Sequence, residues 1–251
     1  MELKEFFEVN KKAALAFSGG VDSSYLLYAG LKYGADIKPY YVKSQFQPEF
    51  EFHDAERLAA GLGADMTVIR ADILACRQVR ENPPDRCYYC KRTIMSKIIS
   101  AAADDGYTVL LDGSNASDDS SDRPGMRAAG ELHILSPLRE CGLTKGDIRR
   151  LSKNAGLFTW SKPAYACLAT RVKTGEELTN ERLKNIEASE DYLFSRGYTD
   201  FRVRTSGSSA LLQFTADQLG DAQAHERELF SALSVYFDDI KIDTNARTKS
   251  L

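Results

Sequence analysis

The hydrophobic pattern of the first 111 residues alternates short apolar runs with longer amphipathic stretches. The apolar runs, each typical of a buried strand, are residues 13–17, 37–42, 65–70 and 108–111. Helical patterns follow the first two runs at residues 22–33 and 49–62, and a further helix is expected before the fourth run. Strands that alternate with helices predict a parallel sheet covered on both faces. Such sheets bind ligands at the carboxyl ends of their strands, so the turns after the four runs should share one edge.

The pattern changes beyond residue 172. Its elements are a helix at 179–196, a hairpin of strands at 201–205 and 210–214, a helix that begins near Thr215, and a strand at 236–243. Because this order lacks strict alternation of strand and helix, we expect two domains. The first is an α/β domain over residues 1–172, and the second is a smaller α+β domain over residues 173–251.

Two local signals mark the ends of elements in the second domain. Thr215 and Gln218 have the spacing of a capping box, which predicts the start of a single long helix. Gly197 suits the left-handed conformation that ends many helices. The polar residues 245–251 are expected to fray.

Composition narrows the classes of function. The chain has 251 residues, of which 43% are hydrophobic and 27% are charged, as in ordinary globular proteins. The net charge of −3 provides no global basic field to recruit nucleic acid. The longest apolar stretches, such as residues 25–31, are much shorter than the ~18 residues of a membrane span. The charged amino terminus also lacks a signal-peptide core, so we expect a cytoplasmic protein with no membrane partner.

A glycine- and serine-rich turn, SGGVDSS, separates the first strand from its helix. Its candidate ligand-binding residues are Ser18, Gly19, Gly20, Asp22, Ser23 and Ser24. Glycines let the backbone approach a ligand, and successive N–H groups at a helix N-terminus bind anions. Asp22 could hold Mg²⁺ beside a bound phosphate. The turn lacks the Gly-Lys-Ser/Thr ending of a Walker loop, which disfavours γ-phosphoryl transfer, and the alternative is a tight turn of small residues.

Two cysteines form a CxxC pair at the start of a predicted helix. Asp85 can cap a helix that begins near Arg86, which places the thiols of Cys87 and Cys90 on one side of it. The helix N-terminus and the neighbouring cations should lower the pKa of both thiols. With Cys167, three thiolates could hold a [4Fe–4S] cluster whose fourth iron has no protein ligand, although four cysteines are the usual set.

The cysteine pattern is also compatible with roles other than a cluster. A CxxC pair alone could be a redox pair or half of a zinc site. Cys76 and Cys141 are expected to be buried structural thiols, although either could complete a set of four.

The turn SGGVDSS after an apolar strand resembles the phosphate loop of the PP-loop ATP pyrophosphatases. That superfamily includes GMP and NAD synthetases, argininosuccinate synthetase and tRNA-thiolating enzymes. The resemblance implies that ATP is cleaved between its α- and β-phosphates to give an adenylated intermediate and pyrophosphate. Residues after the second strand contact adenine in the superfamily, which points here to Ser44.

Three further segments narrow the resemblance to one family. They are PPDRCYYCKR at 83–92, DGSNASDDSSDRPGMRAA at 112–129 and WSKPAYACLATR at 160–171. Together they resemble the LarE-type ATP-dependent sulfur transferases, and the resemblance extends from about residue 12 to residue 221. It implies adenylation of a carboxylate of a pyridinium biscarboxylate mononucleotide, followed by displacement of AMP by sulfur to leave a thiocarboxylate. The partners implied are this small-molecule nucleotide, which precedes the nickel-pincer nucleotide cofactor, and a sulfide source.

The cysteine set distinguishes two subgroups of that family. Members with only the cysteine that matches Cys167 sacrifice its sulfur. Members that resemble this chain in also having Cys87 and Cys90 hold a [4Fe–4S] cluster, whose open iron can carry exogenous sulfide. The resemblance therefore implies renewable sulfur transfer, in a family that tends to assemble into hexamers.

The resemblance also assigns residues of the second domain. Arg202 and Arg204 alternate on a strand and share one face, which suits a nucleotide phosphate, although a solvated strand face is the plain alternative. Glu190 interrupts an apolar helical stripe and matches a metal- or substrate-site acid of the family, and Asp221 matches another. In the first domain, Lys91 and Arg171 match family positions near the reacting groups.

The loop after the fourth predicted strand begins with Asp112 and Gly113 and continues to Arg127. It lies at the expected ligand edge and could move over bound ATP, so Asp112 and Gly113 are candidate ATP-binding residues. Its acidic residues are explained equally well as solvated loop residues.

Three alternatives compete with sulfur transfer to a mononucleotide. A tRNA thiolase should show a basic face and an added RNA-binding domain, and neither is evident in the sequence. An amide-forming synthetase would leave the three cysteines unexplained. A nucleotide-binding regulator without catalysis is disfavoured because Asp22, the serines and the cysteines are all present.

Overall fold

The computed structural model describes residues 1–118 and 124–249, without the side chain of Pro124. In that part of the chain the α-helices are α1 (Leu3–Val9), α2 (Val21–Lys32), α3 (Glu49–Gly61), α4 (Arg77–Arg80), α5 (Arg86–Asp104), α6 (Pro124–Glu131), α7 (Pro137–Glu140), α8 (Lys145–Asn154), α9 (Asn180–Ser195), α10 (Ala216–Ala224) and α11 (Glu226–Leu233). The strands are β1 (Lys12–Ala16), β2 (Asp36–Lys43), β3 (Thr67–Arg70), β4 (Leu110–Leu111), β5 (Arg202–Ser206), β6 (Ser209–Gln213) and β7 (Asp239–Ile242). None of these helices is long and apolar enough to cross a membrane.

The chain divides into two compact units. The first comprises Met1–Ile73 and Asp85–Lys162, and the second comprises Leu74–Pro84 and Pro163–Leu251. The short segment that contains α4 is held in the second unit by backbone hydrogen bonds, such as Leu178 N–H to Arg80 O at 2.8 Å. The functional division at residue 172 stays a prediction.

The first unit contains the predicted parallel sheet, which is confirmed. Its strand order is β3-β2-β1-β4, and all its pairings are parallel. The middle of β1 is buried because helices cover the sheet, and Leu15 on β1 belongs to the same core as Leu26 and Leu27 of α2. The fourth strand is shorter than predicted, at two residues. Because the chain crosses from β1 to β2 on one side and returns to β4 on the other, the strand order reverses between β1 and β4.

The second unit is built on a three-stranded mixed sheet in the order β5-β6-β7. β5 and β6 form the predicted antiparallel hairpin, and β7 runs parallel to β6. The core of this unit includes Leu193 of α9, Val203 and Leu212 of the hairpin, and Leu229 of α11. The smaller α+β architecture is therefore as predicted.

Three local predictions in this unit are wrong. Thr215 is the N-cap of α10, but Gln218 forms no capping box with it, since the Gln218 Oε1 atom accepts the N–H of Thr199 at 2.8 Å. The single helix predicted there is two helices that meet at His225. The described part of the tail does not fray, because Arg247 N–H donates to Phe214 O at 2.9 Å.

Candidate active site

The phosphate loop lies where the strand order reverses, at the carboxyl end of β1. Gly19 has a φ of +71°, a conformation that a residue with a side chain adopts only with strain. A Cβ atom there would also lie 2.8 Å from the Cβ of Ala55 on α3. The loop therefore needs glycine at this position both for its conformation and for its close packing.

Hydroxyl groups fix the shape of the loop. Ser18 Oγ and Ser23 Oγ lie 3.1 Å apart, the Ser23 hydroxyl donates to Gly20 O at 3.3 Å, and Gly20 N–H donates to Ser18 Oγ at 3.3 Å. The N-cap of α2 is Gly20, so no side chain caps the first N–H groups of this helix. A helix start of this kind favours an anion. Ser24, which was also predicted to bind ATP, is completely buried.

Asp22 in the first turn of α2 is paired with a lysine that the sequence analysis did not identify. Lys145 Nζ lies 2.6 Å from Asp22 Oδ2, and the side-chain amide of Asn115 donates to Asp22 Oδ1 at 3.5 Å. Burial raises the pKa of the Asp22 carboxyl above its ordinary value, and the Lys145 ammonium offsets part of that rise. The carboxylate is 21% exposed and so is accessible to a ligand.

Asp112, directly after β4, is held in a denser network. Its carboxylate accepts hydrogen bonds from Lys91 Nζ at 2.8 Å, from Ser136 Oγ at 2.7 Å and from Ser114 Oγ at 2.9 Å. Burial opposes ionisation of Asp112, but the Lys91 ammonium and the hydroxyl donors outweigh it, so the pKa of this carboxyl is lowered. A Cβ atom on Gly113 would lie 3.0 Å from the backbone nitrogen of Ser23, so the β4 loop passes close to the start of α2.

Ser44 follows β2 at the same edge of the sheet. It is buried, and its hydroxyl donates to Gln47 Oε1 at 2.7 Å and accepts from Phe46 N–H at 3.3 Å. These bonds shape the loop after β2. Its contact with adenine stays a prediction. The loop predicted to move over ATP lies in part outside the described residues, at 119–123.

The CxxC pair lies in the first turns of α5, which begins at Arg86 as predicted. Cys87 is exposed and Cys90 is half-buried, and the Arg86 guanidinium donates to Cys87 Sγ at 3.6 Å. Asp85 is the N-cap residue, but its side chain makes no capping hydrogen bond, so that part of the prediction is wrong. On the same helix, Lys91 connects the cysteine segment to Asp112.

Cys167 belongs to the second unit. It precedes a 3₁₀ turn, Leu168–Arg171, and its carbonyl accepts both the N–H and the hydroxyl of Thr170. Over the described residues, no group of three or more His, Cys, Asp or Glu side chains is placed to hold a metal ion. The two other cysteines, Cys76 and Cys141, are half-buried rather than fully buried, and burial raises the pKa of the Cys141 thiol.

The second unit has a buried charge network next to Cys167 in sequence. Arg171 donates to both carboxylate oxygens of Glu190, at 2.7 and 3.2 Å. Glu190 also accepts the hydroxyl of Tyr165 and the backbone N–H of Val203. Burial and the neighbouring Glu190 carboxylate raise the pKa of Tyr165, so this side chain stays a neutral donor. The acid that interrupts the apolar stripe of α9 thus has several internal partners.

Arg202 and Arg204 share one face of β5 but have different surroundings. Arg202 is 8% exposed and donates to the carbonyls of Phe201 and Ala164. Burial, with the nearby cations Arg171 and Arg247, lowers the pKa of Arg202 to about 10.

Arg204 is exposed and lines a cavity of about 500 Å³. Other polar side chains of the lining are Thr170, Arg171, Lys173, Thr174, Thr205, Ser206, Ser209, Asp239 and Lys241. The cations and hydroxyls among them suit an anion of the size of a nucleotide phosphate. Asp221 is exposed on α10, where it accepts the hydroxyl of Tyr198 at 2.6 Å.

The sequence analysis missed three residues of the first unit's edge. They are Asn115, Ser136 and Lys145. Asn115 lies within the segment 112–129 and Ser136 lies outside the quoted segments, and neither could be assigned a role because their contacts depend on how the β4 loop folds. Lys145 could have been found from the sequence. The spacing of Thr144 and Asp147 predicts a helix start, and a cation in the first turn of a helix is unfavourable, which points to another role for it.

The fold and the loop define this domain as a PP-loop type of α/β domain. Argininosuccinate synthase from Haloarcula marismortui is 30% identical over 55% of this chain and 36% of that protein. No family model matches the chain.

Two other relatives align with most of the chain. An uncharacterized protein of Synechocystis sp. is 34% identical over 86% of this chain and 81% of its own length. The pyridinium-3,5-bisthiocarboxylic acid mononucleotide synthase of Lactiplantibacillus plantarum is 32% identical over 84% of this chain and 77% of its own length. This chain belongs to the family of that synthase, the LarE family.

Proposed function

We propose that this chain is an ATP-dependent sulfur transferase that converts a carboxylate of a pyridinium biscarboxylate mononucleotide-like acceptor to a thiocarboxylate. The observation that carries the proposal is the convergence of the phosphate loop, Asp22 and the β4 loop at the point where the strand order reverses. The likeness to a bisthiocarboxylic acid mononucleotide synthase supports the choice of acceptor. We further propose that the enzyme acts in the cytoplasm as a homo-oligomer.

In the first half of the reaction, ATP binds with its phosphates on residues 18–24 and its adenine near Ser44. An acceptor carboxylate oxygen forms a bond to the α-phosphorus while the bond from that phosphorus to the bridging oxygen breaks, and pyrophosphate leaves. Mg²⁺ neutralises phosphate charge when it is bound, and the partly exposed carboxylate of Asp22 suits this hard cation, which keeps phosphate and water ligands. Lys91 and Gly113 keep the β4 loop at this edge, and Lys91 holds Asp112 ionised.

In the second half, sulfide sulfur forms a bond to the acyl carbon and the bond to AMP breaks, without net oxidation. We propose that Cys87, Cys90 and Cys167 hold a [4Fe–4S] cluster. Such a cluster with three protein ligands supplies an open iron at which sulfide can bind. The support for this ligand set is that cysteine sulfur is the usual ligand of such clusters, and that Cys87 and Cys90 share the first turns of α5, where the Arg86 guanidinium donates to Cys87 Sγ. Arg171 follows Cys167 by four residues, and we assign it to the same reacting region.

The acceptor phosphate is assigned to the cavity beside Arg204, where Lys173 and Lys241 add positive charge. Arg202 is buried behind this face and donates to the carbonyl of Ala164, and the carboxylate of Glu190 fixes the orientation of the Arg171 guanidinium. Asp221, which is exposed, is the remaining acid proposed for acceptor binding.

The test is an anaerobic assay of the purified protein with ATP, Mg²⁺, sulfide and the biscarboxylate mononucleotide. We expect acceptor-dependent release of pyrophosphate and a thiocarboxylate product by mass spectrometry. The variant Asp22→Ala should release no pyrophosphate and should keep the wild-type circular dichroism spectrum, because a partly exposed loop-edge residue contributes little to the core. Parallel assays replace sulfide by ammonia, or the mononucleotide by tRNA. Formation of a carboxamide or of thiolated tRNA in these assays, with no thiocarboxylate in the first, would overturn the proposal.

A further inference from the structure

One charged contact at the phosphate-loop edge has no role in the proposed reaction. Lys145 Nζ lies 2.6 Å from Asp22 Oδ2, and the two side chains are 31% and 21% exposed. An ammonium group has three N–H donors, and Asp22 is its side-chain partner among the residues that the structure describes. Lys145 therefore has donors to offer a ligand at the residue where the phosphate loop ends.

The backbone of Lys145 is fixed from two directions. It is the first residue of α8, after the N-cap Thr144, which forms a capping box with Asp147. Its N–H donates to Ser117 Oγ of the β4 loop at 2.9 Å. A cation in the first turn of a helix opposes the helix dipole by roughly 0.3–1 kcal/mol. The backbone position of Lys145 is therefore fixed, and its charge does not stabilise α8.

The other lysine of this edge has different surroundings. Lys91 pairs with Asp112, whose carboxylate is only 5% exposed and also accepts the hydroxyls of Ser114 and Ser136. That network is internal and ties α5 to the β4 loop. The pair of Lys145 with Asp22 is more open on both sides, so Lys145 is the better placed of the two cations to meet a polyanion.

We propose that Lys145 binds the triphosphate of ATP directly, and that its pair with Asp22 is the arrangement of the site before ATP enters. The inference rests on the proposed function and adds a phosphate-binding residue to it. Without Lys145, the Asp22 carboxylate would repel the phosphates that the loop and the start of α2 attract. Phosphate oxygens can take the remaining donors of the ammonium.

The test measures binding without catalysis, by titration calorimetry with α,β-methylene-ATP and with adenosine in the presence of Mg²⁺. We expect Lys145→Gln to weaken binding of the analogue by about ten-fold or more, the loss of one charge-assisted hydrogen bond. Adenosine, which has no phosphate, should bind within about two-fold of wild type. Lys153→Gln is the matched control, because it removes one exposed lysine from the same helix, and it should bind both ligands as wild type does.

The same measurement in the Asp22→Asn variant distinguishes direct binding of phosphate by Lys145 from a role in which Lys145 only neutralises the charge of Asp22. In Asp22→Asn, adding Lys145→Gln should still weaken binding of the analogue if the ammonium contacts phosphate. Equal affinities of Asp22→Asn and the double variant would overturn the inference, and so would a Lys145→Gln protein that loses adenosine and the analogue alike. If wild type binds the analogue but forms no thiocarboxylate, the inference stands and the proposed reaction fails. If wild type binds no analogue, both fail.

Discussion

The guanidinium of Arg171 donates two hydrogen bonds to the carboxylate of Glu190, and both side chains are 1% exposed. Removing two charges from water is costly, and their attraction repays the cost only when the remaining donors and acceptors are also satisfied. Here the hydroxyl of Tyr165 and the backbone N–H of Val203 donate two further hydrogen bonds to the Glu190 carboxylate. The network joins the turn after Cys167 to α9 and β5, so it fixes the backbone that presents this cysteine.

We predict that Glu190→Gln lowers the free energy of unfolding by about 3–5 kcal/mol, because it leaves the guanidinium of Arg171 buried without an opposite charge. Urea unfolding followed by circular dichroism measures the effect. Glu181→Gln is the control on the same helix, since Glu181 is exposed and its loss should cost less than about 0.5 kcal/mol. Equal stability of the two variants would contradict this role of the ion pair.

The sequence could predict the elements of the first unit because hydrophobic periodicity and the SGGVDSS turn are local signals. It could also place Cys87 and Cys90 at a helix start, since Pro84 and its neighbours break the chain there. The partners of Glu190 could not be predicted. The stripe of α9 shows only that an acid lies among apolar residues, while Arg171 reaches it through a tertiary contact.

Capping was the least predictable feature, because side-chain hydrogen bonds compete. Gln218 has the right spacing for a capping box, yet a backbone N–H from the α9–β5 connection takes its side chain. The different exposure of Arg202 and Arg204 could likewise not be predicted from the sequence pattern. Alternation predicts a shared face correctly, but burial on that face depends on which loops cover it, and the carbonyl of Ala164 accepts a hydrogen bond from Arg202.

Gly19 offers a test of the phosphate loop with an internal control. Gly19 and Gly34 both have positive φ, +71° and +77°, so alanine at either site has a conformational cost of about 1–2 kcal/mol. Of these two sites, only Gly19 would bring the new Cβ close to another atom, at 2.8 Å from Ala55 Cβ, which adds about 1–3 kcal/mol of overpacking. We therefore expect Gly19→Ala to destabilise the protein clearly more than Gly34→Ala in urea unfolding. Equal effects would show that α3 moves freely away from the loop.

The two arginines of β5 should respond differently to substitution. Arg204→Ala should weaken acceptor binding by about ten-fold or more and leave the unfolding midpoint near that of wild type, because Arg204 is exposed and lines the cavity. Arg202→Ala should mainly lower stability, since it removes a buried donor from the carbonyls of Phe201 and Ala164. Calorimetric titration with the mononucleotide, beside urea unfolding, separates the two effects. A loss of ATP affinity equal to the loss of acceptor affinity in Arg204→Ala would exclude the cavity as the phosphate site.

The three cysteines carry the most demanding prediction. Cys87 is exposed at the start of α5 with the Arg86 guanidinium donating to its sulfur, and cysteine sulfur is the ligand that iron–sulfur clusters take. Cys90 lies one turn further along the same helix, and Cys167 precedes a 3₁₀ turn in the second unit. Anaerobic reconstitution with iron and sulfide should therefore give about four irons per chain, a content expected of one [4Fe–4S] cluster. Iron and sulfide analysis with electron paramagnetic resonance measures it.

The single variants decide which thiols are ligands. Cys87→Ala, Cys90→Ala and Cys167→Ala should each lose the cluster, because three thiolates are already one fewer than the usual set. Cys76→Ala and Cys141→Ala should retain it: burial raises the pKa of the Cys141 thiol, and the Cys76 thiol donates to the side chain of Gln78. Zinc could occupy thiolates as well, so metal analysis must accompany the spectra. A cluster that survives loss of Cys167, or turnover that converts Cys167 to dehydroalanine, would replace renewable transfer with a different source of sulfur.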